Sequence, residues 1–312
     1  MTNVFIDGSA GTTGLRIRER LAGRKELKLI TLPEELRKDP KARKDAMNGA
    51  DIVFLCLPDA AALEAAELVE DPRVCVIDTS TAHRTDPGWV YGFPELIGRD
   101  RVAGASRIAN PGCHASGFIA LIRPLITAGL LERDTALSCF SLTGYSGGGK
   151  SMIAQYEDPE RSPLLAAPRQ YGLGQQHKHL KEMVHLCSLT KAPAFCPIVA
   201  DFYSGMEVTV PLFAGDLKGS PEDLKTAYRA AYTGRIVHFD ENADEGGFLS
   251  AGAYAGWDDM EISVFGSGER LLLTARFDNL GKGASGAAIQ NMNIRLGLEE
   301  TTGLCLSERT IL

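Results

Sequence analysis

Short apolar runs alternate with segments whose apolar side chains recur every three or four positions. "NVFIDG" (3–8), "LKLITL" (27–32), "ADIVFLCLP" (50–58) and "RVCVIDTS" (73–80) read as strands. The last two are almost continuously apolar, as strands of a parallel sheet covered on both faces are. Between them, residues 14–23 place Leu15, Ile17 and Leu21 among arginines and close on Gly23, a helix with a glycine stop. Residues 59–70 ("DAAALEAAELVE") predict a second helix with Asp59 as its N-cap. This alternation predicts a doubly wound α/β domain. After about residue 113 the rhythm changes. A helix over roughly 114–129 is followed by "ALSCFSLTGYSGGGK" and a polar, proline-bearing stretch (156–176). A helix near 177–188, extended segments near 194–214, 234–240, 260–265 and 270–277, and a small-residue helix within 281–298 complete the chain. Their order predicts a mixed or antiparallel sheet, hence a second, α+β domain.

Composition narrows the function classes. The chain has 312 residues, 44% hydrophobic and 23% charged, with a net charge of −7. That is ordinary globular composition, and the charge gives no reason to expect nucleic acid or an anionic membrane as partner. No apolar run approaches the roughly 18 residues of a membrane helix, and "MTNVFIDGSAG" lacks the basic leader of a signal peptide. The seven scattered cysteines contain no C-x-x-C pair, which argues against a zinc site or disulfide framework and for reduced thiols in the cytoplasm.

The first strand–helix junction reads "DGSAGTTG". Gly8, Gly11 and Gly14 form G-x-x-G-x-x-G, with Ser9, Ala10, Thr12 and Thr13 between them. Glycines there let the backbone turn and approach a pyrophosphate, whose charge faces helix N–H groups. The window about 20 residues on, where NAD readers place an acid for the ribose, is "ITLPEELRKDP". No acid stands at the strand tip, whereas Arg37 and Lys38 suit a 2′-phosphate, so the sequence points to NADP.

"IANPGCHASGFIALIRPL" (108–125) carries the chemistry. Gly112 frees the backbone and Cys113 opens a helix whose buried stripe is Ala115, Phe118, Ile122 and Leu125. The partial positive charge of a helix N-terminus favours thiolate over thiol, so the position suits a nucleophile. A cysteine nucleophile needs an acid–base partner. His114 is adjacent but is expected to project away. "QQHKHLKEMVHLC" offers His177 and His179. On one regular helix they lie roughly 200° apart, which favours His177 on the inward face with His179 as the alternative. His83, in "STAHRTD", follows a strand and is expected to line the cofactor cleft. The backbone donors of "TGYSGGGKS" (143–151), with Ser146, Gly147 and Lys150, suit a phosphate or carboxylate.

"GSAGTTG", "STAHR", "ANPGCHASG", "TGYSGGGK", "HKHLKE" and "FDNLGKGASGAAIQNMN" together resemble the shorter type of the N-acetyl-γ-glutamyl-phosphate reductase family, from about residue 4 to residue 298. The Pro-Gly-Cys element and the Gly-Lys-Gly-Ala-Ser-Gly helix resemble the superfamily that includes aspartate-semialdehyde dehydrogenase. His114, where longer members often carry tyrosine, and Lys150, where arginine is common, mark the subtype. The resemblance implies a Rossmann-type NADP-binding domain (1–112 with 283–312) and a catalytic and oligomerisation domain (113–282). It implies Cys113 as nucleophile, the HKH region as acid–base source, and Asn279 and Gly283 near the nicotinamide side, with Ser80 also on the cofactor. A thiolate would attack an acyl phosphate, expel phosphate and accept hydride from NADPH as a thioester. Asn110 and helix N–H groups would hold the oxyanion, while Arg84, Arg107 and Lys150 are candidate anion clamps. The partners implied are a small acyl phosphate and further copies of the chain, as a homodimer or homotetramer.

Rival readings stay open at this level. An aspartyl or aminoadipyl phosphate reductase would share every element above. A cysteine hydrolase has no use for the glycine loop, and a non-catalytic nucleotide sensor has none for an exposed thiolate.

Overall fold

A computed structural model describes residues 1–308. The described chain divides into two compact units, Met1–Gly112 with Ala284–Leu304, and Cys113–Gly283 with residues 305–308.

The first unit is built on a six-stranded, all-parallel sheet. Its strands are β1 (Thr2–Asp7), β2 (Leu27–Ile30), β3 (Ile52–Leu55), β4 (Cys75–Asp78), β5 (Val90–Tyr91) and β6 (Arg107–Ala109), in the order β2-β1-β3-β4-β6-β5. Its helices are α1 (Thr12–Leu21), α2 (Pro40–Asn48), α3 (Asp59–Glu67), α4 (Pro94–Ile97), α5 (Arg99–Ala103) and α10 (Gly286–Arg295). Two apolar clusters cover the two faces. Ile17 and Leu21 of α1 join Ala288, Ile289 and Met292 of α10 on one. Ala46 and Met47 of α2 join Ala65 of α3 on the other. Burial on both faces explains the continuous apolar runs of β3 and β4. The chain leaves β1 towards β2 and returns to β3 on its other side, so the end of β1 is the switch point where such sheets bind ligands.

The second unit holds a seven-stranded mixed sheet. The strands are β7 (Ser138–Gly144), β8 (Arg169–Gln170), β9 (Ala194–Ala200), β10 (Met206–Phe213), β11 (Val237–Phe239), β12 (Met260–Gly266) and β13 (Arg270–Phe277), ordered β11-β12-β13-β10-β7-β9-β8. Helix α6 (Cys113–Thr127) packs on β10 and β13 and is flanked by α8 (His179–Cys187) and α9 (Pro221–Ala231); α7 (Gly149–Glu157) follows β7. Among the described residues no helix is long and apolar enough to cross a membrane.

Several expectations are corrected. Helix α6 is buried on nearly every side, not along one stripe: His114 through Ile122 are all buried. Asp59 does not cap α3. Pro58 holds that position, and the Asp59 carboxylate accepts from the Thr81 amide and hydroxyl instead. Residues 305–308 belong with the second unit, because Asp258 and Asp259 accept the Cys305 and Ser307 amides. Helix α2 was missed because "PKARKDAMN" is mostly charged. Asp39 starts it by accepting the Ala42 amide, with Pro40 at the first helical position. Helices α7 and α9 lie in stretches left without a helix, and α7 begins inside the glycine-rich segment.

Candidate active site

In the first unit the glycine segment forms a cradle. Gly8 has φ +81, and a Cβ there would run into the Cys56 carbonyl; one on Gly14 would lie 2.5 Å from the Gly8 carbonyl oxygen. No other residue fits this path. Thr12 and Thr13 open α1 directly after the turn. Gly8, Ser9 and Ala10 line a cleft of about 580 Å³ whose wall also carries Thr31, Arg37, Lys38 and Arg18. Arg18, on the exposed face of α1, was not singled out from sequence; a cation one helical turn past a glycine loop is the signal that would have found it. Asp7, the acid at the tip of β1, also lines the cleft, and its carboxylate is paired with Arg43 at 2.6 Å. Neutralising that acid suits the cleft to an anion. The tight backbone, helix N-terminus and three cations thus fit a dinucleotide with an extra phosphate.

Other residues assigned to ligands in the first unit have different tasks. Ser80 donates to Asp78 Oδ2 at 2.7 Å and accepts from the Ala82 amide, so its hydroxyl shapes the turn after β4. His83 also contacts Asp78 Oδ2 at 2.7 Å and stacks on Trp89 at 3.9 Å. Arg84 is buried, and its guanidinium donates to the Asn110 and Thr79 carbonyls at 2.9 and 3.1 Å. Every polar group of Asn110 is engaged. Its amide donates to the Asp78 carbonyl, its carbonyl accepts from Arg84, its Nδ2 donates to the Ala284 carbonyl, and its Oδ1 accepts from Asn291. The expected oxyanion donor is therefore a brace for the turn that precedes Cys113. Arg107 stands at the start of β6, away from the strand ends where ligands bind, and donates to the Val69, Val74 and Ser106 carbonyls. That placement contradicts an anion clamp.

In the second unit Cys113 is the first residue of α6 and is half-buried. Gly283 lies against it: a Cβ on Gly283 would fall 2.9 Å from Cys113 Cβ. His114 is buried, with Nδ1 2.7 Å from Ser141 Oγ and Nε2 2.6 Å from Tyr171 Oη. Burial, helped by the charge of His177, pushes the His114 pKa down to about 3, so the ring is neutral.

His177 lies ahead of α8, not within it, which overturns the helical argument for separating it from His179. The His177 and His179 rings meet edge to face at 4.7 Å, and both lie within 5.6 Å of the His114 ring. Gln175 fixes this segment. It holds φ +53 while its side-chain amide both donates to and accepts from the Phe195 backbone. His177 Nδ1 accepts the His179 amide at 3.2 Å, so the neutral ring carries its proton on Nε2. Partial burial and then Lys178 lower its pKa. His179 is buried, with Nε2 3.9 Å from Glu182 Oε1.

The segment after β7 turns in a 3₁₀ coil, Tyr145–Gly148, before α7. Ser146 is buried and accepts from Asn279 Nδ2 at 3.0 Å, while Asn279 Oδ1 accepts the Gly205 amide. Asn279 thus braces this loop. Gly147 and Lys150 are exposed. Sequence reading missed Ser141, Tyr171 and Glu182. Ser141 carried a signal, because strand alternation puts it on the covered face of β7 with Cys139 and Thr143. Tyr171 and Glu182 carried none.

Comparison with known proteins agrees with this layout. Residues 3–105 match the family model for the semialdehyde dehydrogenase NAD-binding domain, and residues 113–279 match that for the semialdehyde dehydrogenase dimerisation domain. The chain is 43% identical to N-acetyl-gamma-glutamyl-phosphate reductase 2 of Pseudomonas putida, over 96% of this chain and 98% of that one. It is 47% identical to the N-acetyl-gamma-glutamyl-phosphate reductase of Brucella ovis, over 94% and 98%. Among solved structures, aspartate semialdehyde dehydrogenase II of Vibrio cholerae superposes with a TM-score of 0.70 at 18% identity, covering 95% of this chain and 99% of that one. At that identity the likeness is one of fold.

Proposed function

The chain belongs to the N-acetyl-gamma-glutamyl-phosphate reductase family, and on that premise we propose how its own residues perform the reductive dephosphorylation of N-acetyl-γ-glutamyl phosphate to the 5-semialdehyde, a step of arginine biosynthesis. The observation that carries the reading is Cys113 at the first turn of α6, next in the chain to His114, whose ring meets those of His177 and His179. The helix N-terminus stabilises its thiolate. That thiolate adds to the acyl phosphate, the C–O bond to phosphate breaks, and a thioester forms on Cys113. Gly8, Gly11 and Gly14, with Arg18, Arg37 and Lys38 in the same cleft, would hold NADPH, which would supply the hydride that reduces this thioester. Collapse of the resulting hemithioacetal returns the thiolate and releases the aldehyde.

The two histidines divide the proton work. Neutral His177 presents Nε2–H as a donor to the substrate oxygen, because its Nδ1 is occupied. His179 has Glu182 beside it, and a carboxylate supports the cationic form that a proton acceptor passes through. Lys150, exposed at the start of α7, is the remaining candidate for the substrate's anionic groups.

We assign the protein to the cytoplasm, in line with its scattered free thiols, and to a homodimer or homotetramer. Phe140, Phe213 and Leu272 lie on one face of the second sheet and are 46%, 65% and 44% exposed, an apolar face suited to a second copy. Sedimentation of Phe140→Glu should show smaller species than the parent chain.

The reaction is tested in reverse, as NADP- and phosphate-dependent oxidation of N-acetylglutamate 5-semialdehyde. Activity abolished by Cys113→Ala, with no turnover of aspartate semialdehyde, is the expected result. Turnover of the aspartyl substrate alone would overturn the substrate, and full activity of Cys113→Ala would overturn the nucleophile.

A further inference from the structure

Three groups in the second unit form a hydrogen-bonded chain that the reaction above does not use. Ser141 Oγ contacts His114 Nδ1 at 2.7 Å, and His114 Nε2 contacts Tyr171 Oη at 2.6 Å. Ser141 is fully buried on β7, His114 is buried on α6, and Tyr171 is half-buried just after β8. Among the described residues, His114 is the hydrogen-bond partner of the Ser141 hydroxyl, and also that of the Tyr171 hydroxyl.

Proton accounting fixes the direction of this chain. His114 is neutral, so one ring nitrogen donates and the other accepts. If Nδ1 carried the proton, Ser141 would accept it and its own hydrogen would be buried with nothing to receive it, which is costly. If Nε2 carries the proton, Ser141 donates to Nδ1, Nε2–H donates to the Tyr171 oxygen, and no buried hydrogen is stranded. The Tyr171 hydrogen then points out of the chain, on the half-exposed side where water or substrate can accept it.

His114 is the residue after Cys113. Tyr171 is close enough to Cys113 for that charge to add to burial in holding the phenol above its ordinary pKa. Tyr171 and His177 rings are 6.0 Å apart. His177, with Lys178 next to it ahead of α8, and His179, with Glu182 next to it within α8, are further titratable groups around the His114 ring.

We propose that Tyr171 is a further catalytic residue, a hydrogen-bond donor to the negative charge at Cys113, and that His114 and Ser141 are positioning residues that hold its hydroxyl with the hydrogen outward. The charge is the thiolate in the free enzyme and the oxyanion that forms when the substrate carbonyl is attacked. No proton leaves Tyr171, and its raised pKa keeps it a donor throughout. Helices alone would leave Sγ with backbone donors; this chain adds a side-chain donor set by a buried, non-titrating histidine.

The inference rests on Cys113 being the nucleophile, and the test separates the two. Alkylation of Cys113 by iodoacetamide, followed against pH in the substrate-free protein, reads the thiolate directly. Tyr171→Phe keeps the ring and removes only the donor. It should raise the apparent thiol pKa by about one unit, equivalent to 1.4 kcal/mol, and lower kcat at least tenfold with KM within about twofold. His114→Gln retains an N–H at the Nε2 position and should keep most of kcat, whereas His114→Phe should behave as Tyr171→Phe does. The Tyr171→Phe, His114→Phe double variant should lose no more than either alone. An unchanged alkylation profile and kcat in folded Tyr171→Phe would overturn the proposal, as would a change confined to KM. A parent chain whose Cys113 is not alkylated preferentially, or which turns over without it, would overturn the nucleophile instead.

Discussion

Arg84 Nε donates to the main-chain carbonyl of Asn110 at 2.9 Å, from a guanidinium that is itself buried. The bond ties the turn after β4 to the turn that leads into Cys113, and a second bond to the Thr79 carbonyl holds the other end. A guanidinium committed to two carbonyls acts by placing backbone, not by gripping a substrate anion. Arg84→Met should therefore lower stability by about 1–3 kcal/mol, the cost of stranding buried acceptors, and reduce kcat while leaving KM for the acyl phosphate within about twofold. Steady-state kinetics beside urea unfolding checks this; a tenfold rise in KM with unchanged kcat would make Arg84 a substrate ligand.

Arg107 gives the complementary case. Its guanidinium reaches the Val69, Val74 and Ser106 carbonyls at the start of β6. Arg107→Lys should leave KM for every substrate unchanged and lower stability by about 1 kcal/mol, since fewer carbonyls keep a donor. Thermal unfolding and initial rates measure both halves.

The cations around the glycine cradle make a specificity prediction. Arg18, Arg37 and Lys38 line the same cleft as Gly8. Removing the two arginines together (Arg18→Ala with Arg37→Ala) should raise KM for NADPH by roughly 10–100-fold, about 1.4–2.8 kcal/mol, while KM for NADH changes little. Equal loss with both cofactors would remove the 2′-phosphate assignment.

Much of this molecule was legible because its chemistry is local. The glycine cradle, Cys113 at a helix start and the apolar β3 and β4 are set by residues adjacent in the chain, so spacing reveals them. What spacing hid depends on contacts made across the fold. Asn110 and Arg84 carry polar groups that suit an anion, yet their partners are carbonyls from elsewhere in the first unit. His177 was assigned by helical phase, but the helix begins two residues later and the Gln175–Phe195 pairing, not helical periodicity, orients the segment. His114 needed Ser141 and Tyr171, 27 and 57 residues away, before its burial made sense.

Gly283 is required by contact. An added Cβ would lie 2.9 Å from Cys113 Cβ, closer than such atoms pack, and 3.1 Å from the Asp278 carbonyl oxygen, a tight contact. Because the first is the reacting residue's own stem, relief must come by moving Cys113. Gly283→Ala should cut kcat by about 100-fold, since ångström-scale misplacement at a reacting atom costs that much, and leave NADPH affinity measured by fluorescence within about twofold. Near-normal turnover would show that the first turn of α6 yields without cost.

The neutral His114 also fixes a pH dependence of stability. Its pKa in the folded chain is about 3, against 6.5 for an ordinary histidine. Above pH 6.5 both folded and unfolded chains leave it uncharged, and its buried contacts contribute in full. Between 6.5 and about 3 the unfolded chain takes up a proton that the folded chain refuses, so stability falls as the pH falls, by up to about 1.4 kcal/mol per unit. His177, whose pKa is also lowered, adds to the fall in the same direction. Urea unfolding of the parent chain and of His114→Gln, at half-unit steps from pH 7.5 to 4.5, isolates the contribution. The variant should be less stable at pH 7.5 and lose stability more slowly on acidification; parallel curves would mean that His114 is charged in the fold.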